Sequence, residues 1–103
     1  MRAVNVYIND QLAGRLQETD DHQYIFEYEP NYTGLPVSLT LPLSQRVFHF
    51  NSFPAFFDGL LPEGPQLEGL LKQRKLDRDD YLSQLTAVGN DMAGVVTVKE
   101  SEP

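Results

Sequence analysis

The chain has 103 residues and a net charge of −7 at pH 7. A chain of this length is expected to form a single domain over residues 1–103, too small for a deep catalytic cleft between two domains. Its 8 lysine and arginine residues, against 15 acidic ones, argue against direct DNA or RNA binding, because basic side chains must replace the counterions of the phosphates.

The chain contains no cysteine, which excludes disulfide bonds, thiol catalysis and zinc sites built from cysteine. It has no run of about 18 apolar residues and no signal segment at its start, so we expect a cytoplasmic protein without a membrane contact. The polar tail at residues 99–103 is expected to be frayed.

The N-terminal part of the chain predicts three β-strands. In "AVNVYIND" apolar and polar residues alternate, which is the periodicity of a strand. Asn9-Asp10 predicts a turn, and residues 12–18 predict the returning strand, with Gly14 as a candidate bulge. A third strand is predicted in "QYIFEYE". Within each of the two alternating strands the following residues are expected to share a face: Val4, Val6 and Ile8, then Tyr24, Phe26 and Tyr28.

A fourth strand is predicted in "VSLTLPL", after the loop "PNYTGLP". Its apolar residues again occupy every second position and are expected to point one way: Val37, Leu39, Leu41 and Leu43. Because Pro42 has no N–H to donate, this strand is expected to lie at a sheet edge or to stop pairing there.

At Ser52 the apolar period changes from two residues to 3.6, which predicts a helix. Ser52 is the expected N-cap, and Pro54 is tolerated in the first turn, where no intrahelical N–H bond is lost. Pro62 ends the helix. An apolar stripe at helical spacing is expected to belong to the core: Phe53, Phe56, Phe57, Leu60 and Leu61.

Two further helices and a last strand follow. Pro65 begins the first of these helices, whose buried side is Leu67, Leu70 and Leu71, the last two assigned to the core. Glu68 and Lys72 are spaced for an ion pair on its exposed side.

The third helix is expected to start at Asp77 or Asp79 as N-cap, and Gly89 is expected to close it in the left-handed conformation. It carries the apolar residues Tyr81, Leu82, Leu85 and Val88. "GVVTVK" predicts the last strand. The order of elements indicates an α+β fold, a small, mostly antiparallel sheet with about three helices packed on one face.

The residues show no catalytic set. His22 and His49 have no partner at metal-ligand spacing, and neither a calcium loop nor a G-x-S-x-G nucleophile is present. No phosphate-binding loop or dinucleotide fingerprint occurs. We therefore predict a protein that is not an enzyme and that has no catalytic, cofactor-binding or metal-binding residues.

The break Pro62-Glu63-Gly64-Pro65 between two apolar stripes is the feature that suggests a partner. Two prolines in four residues stiffen the loop, which lowers the entropy lost when it docks. Gly64 allows close approach of another backbone, and Glu63 offers a hydrogen-bond acceptor. From these residues alone, a stiff connector and a docking surface are equally good interpretations.

Three segments together resemble a known family. "PVSLTLPL", "FPAFFDGLLPEGPQLEGLL" and "GNDMAGVVTV" resemble, in that order, the N-terminal subdomain of HipA-type serine/threonine kinases, the toxins of bacterial toxin–antitoxin systems. The run from Phe56 to Gly64 is quite specific. The family's G-x-D-x-x-G-A-V run is matched from Gly89 to Val96, except that Val95 stands where alanine is usual.

In that family the subdomain precedes a larger kinase body. Because this chain begins with Met1 and ends at Pro103, we expect a stand-alone copy, similar to the small HipS-type subunit of tripartite HipBST systems. The resemblance implies an antitoxin that binds and inhibits a HipT-type kinase, in a ternary complex with a HipB-type DNA-binding protein. The alternative is a structural subunit that completes the kinase and joins it to HipB without inhibiting it.

A subdomain that normally lies on a kinase body must keep a docking surface, and the resemblance implies the helix–PEGP–helix element. The residues expected to contact the kinase are Asp58, Pro62, Glu63, Gly64, Pro65, Gln66 and Leu67. A side chain from residues 62–67 would enter the active-site cleft, or the bound protein would hold the kinase lobes apart. The residues leave both mechanisms open.

Overall fold

One antiparallel sheet is formed by strands that lie, from edge to edge, in the order Val47–Phe50, Tyr24–Tyr28, Gln11–Glu18, Arg2–Ile8 and Val96–Glu100. The protein is seen here in a computed structural model, which describes residues 2–89 and 96–100. The strands of this described part are Arg2–Ile8 (β1), Gln11–Glu18 (β2), Tyr24–Tyr28 (β3), Val47–Phe50 (β4) and Val96–Glu100 (β5). The helices are Ala55–Asp58 (α1), Gly64–Arg74 (α2) and Tyr81–Val88 (α3).

One face of the sheet is covered and the other is half-exposed, as the alternation predicts. The core combines buried residues of the sheet with residues of α1 and α3, and Phe26 contacts the rings of Tyr28, Phe48 and Phe57. The predicted α+β class is therefore confirmed. The principal core residues are Val4, Val6, Ile8, Leu16, Tyr24, Phe26, Tyr28, Phe48, Phe57, Leu82, Leu85 and Val98.

The hairpin of β1 and β2 has both predicted features. Asn9 and Asp10 have φ values of 50° and 66°, the left-handed pair that matches the twist of a two-residue hairpin. Val6 lies opposite Gly14 and Tyr7 opposite Leu12, so one strand has an extra residue there. A Cβ atom on Gly14 would lie 2.5 Å from the carbonyl oxygen of Glu27, and this close approach to β3 requires glycine.

The predicted fourth strand at 37–43 is wrong. This segment forms turns, in which the Leu41 N–H donates to the Ser38 carbonyl at 3.0 Å and the Ser38 hydroxyl accepts from the Thr40 N–H at 3.2 Å. The strand that pairs with β3 is β4, which the sequence did not predict. Local hydrogen bonds within the segment have replaced the pairing that an alternating pattern would suggest.

Tyr28 decides which apolar residues of this loop are buried. Its hydroxyl accepts a hydrogen bond from the Val37 N–H at 2.9 Å and donates one to the Leu41 carbonyl at 2.5 Å. Val37 and Leu41 therefore enter the core, whereas Leu39 is 96% exposed. The remaining alternate residue, Leu43, also lies at the surface, so the expectation that all four point one way is wrong.

Helix α1 is much shorter than predicted. It comprises only Ala55–Asp58, its N-cap position is Pro54, and no side chain caps it, so Ser52 is not the N-cap. Backbone turns beyond Asp58 continue the chain, with the Leu61 N–H donating to the Asp58 carbonyl at 3.1 Å. These turns keep Leu61 on the same side as Phe57, although the helix has ended.

At α3 the expected boundary residues differ. Asp80, rather than Asp77 or Asp79, is the N-cap, and its carboxylate accepts a hydrogen bond from the Ser83 N–H at 3.3 Å. Gly89 has a right-handed φ of −57°, so the predicted left-handed closure is wrong. The rest of the G-x-D-x-x-G-A-V run, residues 90–95, lies outside the described residues.

The tail expected to be frayed begins within a strand. Lys99 and Glu100 belong to β5, where they lie opposite Asn5 and Val4. The Lys99 ammonium lies 5.1 Å from the centre of the Tyr7 ring, within the range of a cation–π contact. Residues 101–103 lie outside the described part of the chain.

Candidate functional site

A surface groove of about 290 Å³ lies where the α1–α2 connection meets the start of α3. We call it the PEGP groove. It is lined by Asp58, Leu61, Pro62, Glu63, Gly64, Leu67, Arg78, Tyr81 and Gln84. The groove therefore joins the predicted docking loop to residues 14 or more positions further along the chain.

The loop at one side of the groove is shaped by its own residues. Glu63 is extended and occupies the N-cap position of α2, and Pro65 lies in the first turn, where it loses no helical hydrogen bond. Gly64 has a φ of 58°, in the left-handed region that favours glycine. A Cβ atom there would meet nothing within 4 Å, so the conformation, rather than a close contact within the chain, requires Gly64.

Of the predicted docking residues, five line the groove. Asp58 comes from the end of α1, three residues come from the PEGP loop, whose Gly64 already begins α2, and Leu67 comes from the first turn of α2. Pro65 and Gln66 lie outside it, both exposed on α2. The three loop residues in the groove are Pro62, Glu63 and Gly64.

Gln84 is a site residue that the sequence did not predict. Its side chain is only 1% exposed, and its amide nitrogen donates to the carbonyl oxygens of Asp77 and Arg78 at 3.0 and 2.9 Å. These bonds fasten the α2–α3 loop to α3. A polar residue between Leu82 and Leu85 was the only sequence signal for this role.

Arg78 closes another side of the groove. Its guanidinium donates to the Glu68 carboxylate of α2 and forms an ion pair with it. Glu68 therefore pairs across the helix connection, whereas the sequence spacing suggested Lys72 as its partner. This ion pair is exposed, so its contribution is to hold α2 beside the loop rather than to provide much stability.

Tyr81 connects the groove to the core. Its ring stacks on Phe53 at 4.7 Å between centroids, with 17° between the planes. Phe53 in turn makes an edge contact with Tyr24 at 5.3 Å. The wall of the groove is therefore connected through Phe53 to Tyr24 of β3 in the sheet.

The predicted core residues divide into two groups. Phe57 is fully buried and Leu61 lies in the core, and three others pack partly buried against it: Phe53, Phe56 and Leu60. Leu71 is buried outside the core cluster, and Leu70 is half-exposed. Helix α2 therefore lies at the edge of the domain, where much of its surface faces solvent.

The edge of the groove is acidic. Among residues 2–89 and 96–100, neither Asp58 nor Glu63 forms a side-chain hydrogen bond or an ion pair, and both are exposed. Arg78, which is the cation of the groove lining, is already paired. The groove therefore has a net negative charge, with an apolar surface from Leu61, Pro62 and Leu67.

Other chemistry is not supported by the described residues. No three histidine or acidic side chains among them are grouped to hold a metal ion, and both His22 and His49 are exposed. None of the helices in the described ranges is long and apolar enough to cross a membrane.

A family model and a solved structure point to the same family. A family model described as the HipA N-terminal domain matches residues 4–99. An uncharacterised protein of Haemophilus influenzae is 30% identical over 102 residues, which cover 99% of this chain and 95% of that protein. A solved structure described as the N-terminal domain of HipA toxin has a TM-score of 0.77 and 29% identity, over 99% of this chain and 94% of that one.

Proposed function

The chain belongs to the HipA N-terminal domain family, and from this we propose that it is an antitoxin that binds a HipT-type serine/threonine kinase near its active site and inhibits it. The inhibition acts through binding, without catalysis. The complex also contains a HipB-type DNA-binding protein, which carries the contact with DNA, and it forms in the cytoplasm.

The PEGP groove is the observation that carries this proposal. Its loop faces solvent, is stiffened by Pro62 and Pro65, and presents side chains that the core does not use. A loop whose conformation is already restricted loses less entropy on docking. The exposed helix α2 extends the same surface, so a partner would contact both elements together.

A relative of similar length supports a role apart from a kinase body. The Haemophilus influenzae protein is matched over 95% of its length, so that protein has little room for a further domain. A similar solved structure is described as the N-terminal domain of HipA toxin. A domain of this family that is made separately has a natural partner in a kinase that lacks it.

Two mechanisms of inhibition follow from the exposed loop. In the steric mechanism, a side chain from residues 62–67 enters the active-site cleft of the kinase and blocks the substrate. In the conformational mechanism, the loop and α2 hold the kinase lobes in an inactive arrangement. The steric mechanism depends on one inserted side chain, whereas the conformational mechanism is distributed over the interface.

The experiment measures autophosphorylation and bacterial growth with the cognate HipT-type kinase, with and without this protein, in cells that lack HipB. We expect the protein to restore growth, to suppress autophosphorylation and to purify with the kinase. If the kinase binds the protein but stays toxic, the protein is the structural subunit that joins HipT to HipB. If they do not bind, both functions are wrong.

Glu63→Arg tests whether the loop is the docking surface. Glu63 is exposed and caps no N–H group with its side chain, so the variant should fold normally and bind the kinase more weakly. Asp21→Arg, on the exposed turn between β2 and β3, is the control with the same change of charge. Equal affinity of the two variants in calorimetry would remove the loop from the interface.

A further inference from the structure

The two acidic residues at the edge of the PEGP groove lie at opposite ends of its loop. Asp58 ends α1 and Glu63 precedes α2, and both line the groove together with Leu61, Pro62 and Leu67. Among the described residues neither carboxylate has a side-chain hydrogen bond or an ion pair. The groove therefore combines an apolar surface with negative charge that residues 2–89 and 96–100 do not neutralise.

The usual structural roles of such carboxylates are absent here. Glu63 occupies the N-cap position of α2, yet its side chain accepts no bond from the helix N–H groups. Asp58 ends α1, a helix of only four residues, and its carboxylate does not cap that helix. Neither helix capping nor pairing within the described residues explains why both positions are acidic.

Arg78 does not supply the missing charge. Its guanidinium is held by Glu68, on the outward side of α2, and its backbone carbonyl accepts from Gln84. The α2–α3 loop is thus fixed at two points, and Arg78 forms a wall of the groove. Arg78 is therefore already paired with a carboxylate that does not line the groove.

We propose that the PEGP groove receives a lysine or arginine side chain from the kinase. The charged end lies between Asp58 and Glu63, and its methylene groups lie on the apolar surface formed by Leu61, Pro62 and Leu67. Long basic side chains commonly bury their stems in this way while the charge stays near polar groups. Tyr81, whose ring stacks on Phe53, also lines the groove and adds apolar surface beside the methylene groups.

This inference rests on the proposed function and adds the chemistry of the contact. It predicts that the segment of the kinase that fills the groove is basic and flanked by apolar residues. The chain has a net charge of −7 and is therefore attracted to a basic surface at long range. We expect it to associate with the kinase faster at low salt.

The test compares the affinity of the cognate HipT-type kinase for the wild-type protein and for two double variants. Asp58→Asn with Glu63→Gln removes both charges from the groove, and Asp10→Asn with Asp21→Asn removes two exposed charges from hairpin turns elsewhere. Both variants change the net charge from −7 to −5. Any difference between them therefore reports on position and not on total charge.

We expect the groove variant to bind at least about tenfold more weakly, because it leaves the kinase cation without a partner. The control variant should differ from wild type by less than about threefold, since neither Asp10 nor Asp21 lines the groove and exposed charges outside a contact are largely screened at moderate salt. Raising the salt concentration should weaken the wild type more than the groove variant. Thermal unfolding of all three proteins confirms that each is folded.

Different failures have different meanings. If the wild type binds and inhibits the kinase and the groove variant has the control's affinity, only the inference about the cation is wrong. If the groove variant binds more tightly and Arg78→Gln binds more weakly, the kinase contributes an acidic group, which also overturns it. If the wild type does not bind the kinase, the proposed function fails and this inference with it.

Discussion

Gly89, at the end of α3, lies directly against Val98 of β5. A Cβ atom on residue 89 would be 1.8 Å from the carbonyl oxygen of Val98, and the backbone of Gly89 is right-handed. Glycine is needed here because the helix end contacts a strand that is only 1% exposed at Val98, and not because its own backbone is left-handed. This contact fixes α3 on the sheet and so positions Tyr81 and Gln84.

Gly89→Ala is therefore expected to be strongly destabilising. The added methyl group meets backbone rather than a movable side chain, and overpacking of this kind costs about 1–3 kcal/mol or more. Gly69→Ala is the control, since a Cβ atom there meets nothing within 4 Å and alanine favours an exposed helix by about 0.5–1 kcal/mol. Urea unfolding should show opposite changes; a stable Gly89→Ala protein would contradict the contact.

Phe57→Ala is expected to lower the free energy of unfolding by about 3–5 kcal/mol. Phe57 is fully buried and its ring lies 5.8 Å from that of Phe26, so truncation leaves a cavity between α1 and the sheet. Phe56→Ala, on the half-buried neighbour, should cost less. Chemical denaturation measures both variants, and equal losses would mean that α1 is rotated from the position described here.

Leu41 and Leu39 provide a sharper comparison, because alternation predicts the same orientation for both. Leu41 is buried beside the hydroxyl of Tyr28, whereas Leu39 is almost fully exposed. Leu41→Ala should cost about 2–5 kcal/mol, and Leu39→Ala should change stability by less than about 0.5 kcal/mol. Similar losses for the two variants in thermal unfolding would restore the edge strand at 37–43.

Asp80 makes stability depend on pH. Partial burial alone would raise the pKa of Asp80, but the hydrogen bonds that its carboxylate accepts from Arg2 and Ser83 outweigh burial and lower its pKa. A lowered pKa in the folded state means that the charged form stabilises the protein above the unfolded pKa of about 3.9. This contribution is lost as the pH falls through the lower folded value.

Asp80→Asn keeps a side chain that can cap α3 and removes the charge. At neutral pH the variant should be less stable by about 1 kcal/mol, because Arg2 is half-exposed and its ion pair is screened. The difference from wild type should shrink as the pH falls below about 4. Denaturation curves across this range check the sign, and a constant difference would contradict it.

The candidate site was partly predictable from the sequence. Proline and glycine have strong local preferences, so "PEGP" marked the loop and the start of α2 without knowledge of the partner elements. Arg78 and Gln84 gave no such signal. They reach the groove because α3 packs on the sheet and Gln84 then holds the α2–α3 loop, which is a contact between parts of the chain that local patterns do not relate.

The sequence by itself determined the elements whose residue pattern fixes the local structure without contacts from elsewhere in the chain. Alternation in β1 and β3 assigns their buried faces, because successive side chains of a strand always point to opposite sides. The two-residue turn at Asn9-Asp10 and the α+β class follow from similar local rules.

Where a sequence pattern is compatible with two local structures, only the tertiary structure decided which of them forms. "VSLTLPL" alternates like a strand, but a strand there would need a neighbouring strand to satisfy its backbone hydrogen bonds. Instead, the Tyr28 hydroxyl accepts a hydrogen bond from the Val37 N–H and donates one to the Leu41 carbonyl. Gly89 could close α3 in the left-handed conformation, but its backbone is right-handed. Glycine is required there because the Val98 carbonyl lies where a Cβ atom would be. In both cases a residue from another element, nine or more positions away, supplies the competing interaction, and its position is set by the packed sheet.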